Sequence, residues 1–173
     1  VLKSLSSGSM TDHLKEQQRE WSFGELFLSW RMDPEINFSD FTLEVKSSED
    51  TVDLYQVHKH VLSIGACKSR FFSSLFASNH EGRTSCRKLT IKLSREVARL
   101  VPNLLDFMYS PVQELDIHTE NAVALRFVAT YFRSFLLNEK VVEFIGEDMC
   151  LANVATYAKD GKTFKDEKTL CMA

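Results

Sequence analysis

The chain has 173 residues, enough for one domain of ordinary size with a small appendage. Apolar residues make up 44% and aromatics 11%, with 13 phenylalanines, which supplies a packed core and excludes disorder for most of the chain. The 21 basic and 24 acidic residues are well mixed and leave a net charge of −3, so the electrostatic footprint of a nucleic-acid binder is absent.

The opening stretch "VLKSLSSGSM" resembles an expression linker running into a start methionine, so the fold reading begins near Met10. From Asp12, "DHLKEQQREWSFGELFLSWRMDP" predicts a helix with a polar first half and an aromatic second half. Its apolar end carries Trp21, Phe23, Leu26, Phe27 and Trp30, and Pro34 stands just beyond as a stop signal. Such an arm must pack on the following domain or on another copy of the chain. "FTLEVKSS" alternates Phe41, Leu43 and Val45 against Thr42, Glu44 and Lys46, a half-buried strand. A polar turn from Ser47 to Asp50 leads into a second strand, "TVDLYQVH", and the two predict a hairpin. "KLTIKL" is a third strand, with Leu89, Ile91 and Leu93 pointing in.

Helices follow. In "REVARLVPNLLDFMYS" one apolar stripe runs from Val97 to Met108, and Pro102 predicts that the helix starts late or bends there. "TENAVALRFVATYFRSF" is apolar on nearly all sides and reads as the central, most buried helix. "NEKVVEFIGEDM" and "LANVATYAKD" read as two shorter amphipathic helices, and the polar tail 161–173 is expected to fray. Strands early and helices late predict an α+β fold, a small sheet of three or more strands covered by a helical bundle.

The stretch "YQVHKHVLSIGACKSRFF" raises a chemical question. His58 and His60 could be half a metal site, a catalytic pair with Cys67, or a join between strand and helix. A metal site needs further donors, and no Cys or His with zinc spacing lies near. A reactive Cys67 needs an acid and a low-pKa environment that the sequence does not supply. The structural reading is favoured: His58 satisfies backbone groups at the junction while His60 lies on the surface. No triad, P-loop or dinucleotide glycine pattern is present, so no enzyme, cofactor or metal is expected. Cys67, Cys86, Cys150 and Cys171 lie far apart and read as reduced thiols of a cytoplasmic or nuclear protein. No apolar run of about 18 residues predicts a membrane span.

Several of these stretches in order, "FSDFTLEV", "YQVHKHVL", "KSRFFSSLF", "KLTIKL", "LLDFMYS" and "LDIHTENAVALRFVATYF", resemble the BTB/POZ domain from about Phe38 to Phe135. The segment Ile64 to Ser69 runs about three residues longer than the commonest form of that family, so Gly65-Ala66-Cys67 is expected to break two helical pieces; Val57 replaces a usual alanine, and Pro111 a usual glycine. The downstream "VVEFIGEDMCLANVATYAKDGKTFKDE" is similar to the opening of a BACK-type extension. The resemblance divides the chain into a linker (1–10), a helical arm (11–35), a BTB core (36–137), a helical extension (138–160) and a tail (161–173). It implies a protein-interaction module that homodimerises and presents a substrate to a cullin-type ubiquitin ligase. A ligase-independent scaffold or a transcription-regulator dimerisation domain is the alternative.

The dimer interface it implies joins Phe23, Leu26, Phe27 and Trp30 of the arm to Asp40, Lys59, His60, Val61 and Ile64. Asp40 and Lys59 are expected to pair, at the surface or partly buried near the dimer groove. The cullin-facing residues are Phe76, Asn79, His80 and Glu81 with Tyr109 and Ser110. Family members often place a hydrophobic residue two positions before the glutamate, where this chain has Asn79, so that anchor is missing.

Overall fold

A computed structural model describes residues 28–47, 51–78, 87–110 and 115–173. Alternation builds the sheet. Strands β1 (Phe41–Ser47) and β2 (Val52–Val57) pair antiparallel, Phe41 opposite Val57 and Lys46 opposite Val52, as the predicted hairpin requires. Strand β3 (Lys88–Leu93) runs parallel along the other side of β1, so the order is β2–β1–β3. The period of two turns Phe41, Leu43, Val45, Val57, Ile91 and Leu93 to the buried face.

Parallel pairing demands a crossover. Helices α2 (Lys59–Ser63) and α3 (Arg70–Ser78) lie within it, after a single turn, α1 (Pro34–Asn37), that precedes the sheet. The expected break after Ile64 is present, and Gly65 there takes φ +95, which a side chain would strain. The stripe from Val97 to Met108 is divided between α4 (Arg95–Ala98) and α5 (Val101–Tyr109). Pro102 falls in the first turn of α5, where its missing N–H leaves no bond unmade. Helices α6 (Thr119–Tyr131) and α7 (Phe135–Asp148) pack on each other, and α4 and α5 pack on α6. Seven residues of α6 are buried, in keeping with its reading as the central helix. Among the described residues no helix is long and apolar enough to cross a membrane. The architecture is α+β, a small three-stranded sheet with several helices.

The division expected at residue 137 lies within α7, which is continuous to Asp148. One expectation needs correction. The tail does not fray: helix α8 (Val154–Phe164) runs through Gly161, and α9 (Glu167–Met172) turns back onto it. Gly161 is buried beneath Leu170, and a Cβ there would come within 3.0 Å of the leucine side chain. The fastening is ionic, which hid it from hydropathy. Arg126 of α6 pairs with Asp166, each side chain only 13% exposed, and donates to the Thr169 hydroxyl at 3.1 Å.

Candidate interaction surface

The junction between β2 and α2 is built around His58. Its Nε2 donates to the Asn37 carbonyl at 2.6 Å, which assigns the ring proton to Nε2 and leaves Nδ1 as an acceptor. The Tyr109 hydroxyl, 2.8 Å from Nδ1, donates to it and accepts from the His58 amide, also at 2.8 Å. Both ring nitrogens are therefore used inside the chain, and neither is open to a metal. Burial pushes the Tyr109 phenol up to about 12, so the hydroxyl keeps its proton for this bond. Burial also pushes the Cys67 thiol up, away from the thiolate that a nucleophile requires.

Asp40 and Lys59 meet, but through the main chain. The Lys59 amide donates to Asp40 Oδ1 at 2.9 Å, which satisfies one of the orphan amides of α2. The Lys59 ammonium instead lies 5.9 Å from both the Phe41 and Phe76 ring centres, within cation–π range. A groove of about 480 Å³ runs beside this contact, with Asp40, Phe41, Gln56, Lys59 and Arg87 along it.

The contacts of His58 and Asp40 hold the segment from Asn37 to Asp40 against the start of α2. Around that seam the apolar side chains face outward: Phe38 is 84% exposed, Ile36 64% and Ile64 58%. Phe38 also sits at φ +57, a region that disfavours bulky side chains and holds only where the surroundings fix it. His60 is exposed and Val61 half-buried beside them. The arm residues Phe23, Leu26 and Phe27 lie outside the described residues, but its end is anchored. Trp30 Nε1 donates to Asp106 Oδ1 at 2.8 Å, and Arg31 forks onto the same carboxylate at 3.1 and 2.6 Å.

The residues expected to face a cullin divide. Phe76 packs edge-on against Phe41 at 4.9 Å, and Tyr109 is engaged by His58. Ser110 is half-buried at the end of α5, and Asn79, His80 and Glu81 lie outside the described residues.

Residues 31–148 match the BTB/POZ domain family. The chain belongs to that family. The matched span runs from Arg31 to the end of α7 and includes the His58 junction and the exposed seam. Among solved structures, the BTB domain of zebrafish PATZ1 is similar at 21% identity, with a TM-score of 0.46, over 85% of this chain and 98% of that one. No curated protein matches. This BTB domain is a protein–protein interaction module. The Arg31–Asp106 fork was not legible in the sequence, because the partners are 75 residues apart and nothing in the "LLDFMYS" stretch points to Arg31.

Proposed function

We propose that the BTB domain homodimerises across the seam of Ile36, Phe38, Val61 and Ile64, extended by Phe23, Leu26, Phe27 and Trp30 of the arm. In this reading Asp40, Lys59 and His60 form the polar rim, and the dimer serves as a substrate adaptor for a cullin-RING ubiquitin ligase. The observation that carries it is the outward apolar set held in place by the His58 and Asp40 hydrogen bonds. A rigid apolar surface loses little conformational entropy on docking, which favours a stable partner. An obligate interface of this kind buries more than about 2,000 Å².

The ligase half of the reading draws on helices α7 and α8, which lengthen the helical side of the domain as a BACK-like extension does. One feature favours the alternative of a ligase-independent scaffold: Asn79 stands where an apolar anchor before Glu81 would sit. Light scattering on the full chain tests the dimer, and calorimetry with a cullin N-terminal region tests the ligase. A dimer mass with measurable heat at tens of micromolar is the result we expect. A monomer at micromolar concentration overturns the first half. A folded dimer that gives no heat leaves the scaffold.

A further inference from the structure

The outer face of the sheet carries a second, different patch. The register sets side chains there in rows: Lys46 stands between Val52 and Lys92, and Glu44 between Leu54 and Thr90. Val52 and Leu54 are 50% and 58% exposed, on a face where a solvated antiparallel strand is ordinarily polar. Among the described residues of the three strands, Lys46, Lys88 and Lys92 share this face with one carboxylate, Glu44.

That carboxylate is already satisfied. Glu44 is buried, its Oε1 accepting from Lys46 at 3.1 Å and from Thr90 at 3.3 Å while Oε2 meets Lys88. Among the described residues Lys92 has no ionic partner. Among the described residues, Lys92 therefore places an ionically unpartnered ammonium beside two open aliphatic side chains. Strands about 4.8 Å apart and rows about 7 Å apart make the patch roughly 10 by 14 Å. A globular partner needs about 800 Å² per side, so this area suits a short segment. Val52 and Leu54 give a nucleic acid nothing to bond, whereas they suit the aliphatic side chains of a peptide.

We propose that this face docks a short acidic segment of a partner protein, one that carries aliphatic side chains among its carboxylates. The aliphatic groups cover Leu54 and Val52, and the carboxylates meet Lys92 and the exposed ends of Lys46 and Lys88. The site is distinct from the seam at Phe38 and independent of the dimer.

A short capped oligoglutamate containing a pair of leucines is the probe, titrated into the whole chain while backbone amide shifts are followed by NMR. Shifts are expected at Val52–Gln56 and Lys88–Lys92. Binding should weaken about tenfold when the peptide leucines become serine, and about tenfold in Leu54→Ser. Lys92→Glu should weaken it as well, more strongly at low salt. Both side chains are exposed, so each variant keeps its fold, and an unchanged oligomer mass separates this result from the fate of the dimer. The proposal is overturned by an absence of shifts, by shifts confined to the Phe38 seam, by an equal response to the leucine-free peptide or to a DNA duplex, or by unchanged binding in both variants.

Discussion

Phe72 is the meeting point of the aromatic core. It is fully buried, stacks on Phe132 at 5.5 Å and on Phe76 at 6.0 Å, and meets Phe41 edge-on at 6.5 Å. Those rings come from α3, β1 and the end of α6, so one side chain ties three elements. Phe72→Ala should cost about 3–5 kcal/mol, a large part of the 5–15 kcal/mol typical of a domain. Thermal melting should drop by about 6–20 °C, and a drop of only a degree or two would place the core elsewhere. The stripe through Leu104 and Leu105 was legible from its period, whereas the Phe71–Phe72 pair stood out only through the BTB/POZ resemblance of "KSRFFSSLF". Glu44 was not legible, because alternation says only which face a side chain takes. Its burial depends on which lysines the register sets beside it.

Among elements, the C-terminal pair α8 and α9 is fastened to α6 by a cluster of polar side chains around Asp166. Asp166 receives Arg126, accepts from the Thr169 amide at 3.2 Å and accepts from the Thr169 hydroxyl at 2.9 Å. Asp166→Ala would strand a buried guanidinium whose Nε already lacks a partner, at a cost of about 3–5 kcal/mol. Hydrogen exchange should then rise across 154–172 before the rest of the domain, and Arg126→Met in the same chain should restore part of the protection. Unchanged exchange in Asp166→Ala would mean that apolar contacts such as Leu170 on Gly161 hold the pair alone. The tail had looked soluble and loose because hydropathy counts Asp166 and Thr169 as polar without knowing that Arg126 waits 40 residues upstream. The helix boundary at Pro102 was legible because proline's backbone chemistry is local, and the break at Gly65 because Ile64–Ser69 is longer than the family's common form.

For the whole molecule, acid is the informative stress. Asp148 Oδ2 accepts from Tyr157 at 2.6 Å, Thr119 at 2.8 Å and Asn153 at 3.0 Å, joining α6, α7 and α8 at one atom. The Tyr157 bond, then that from Thr119, holds this carboxyl below the ordinary range, and Lys88 with Lys46 does the same for Glu44. A carboxylate lowered in the folded state stabilises fully above its unfolded pKa of about 4, and that stability is lost as pH falls through the lower folded value. Denaturant titrations should therefore show these contributions constant from neutral pH to about 5 and declining below about 4. Asp148→Asn should flatten the decline; an identical slope would assign it to other groups.

The place of β1 between an antiparallel and a parallel neighbour also fixes an order of assembly. Its hairpin partner ends at Val57, so that side can close early and locally, whereas the other side waits for Lys88–Leu93. Loop closure over that distance is slow compared with a hairpin. Until β3 arrives, a two-stranded ribbon carrying Phe41, Leu43 and Val45 thus leaves the β3-facing edge of β1 unclaimed. An unclaimed edge is the usual template for wrong pairing, so a delay in the arrival of β3 would favour misassembly.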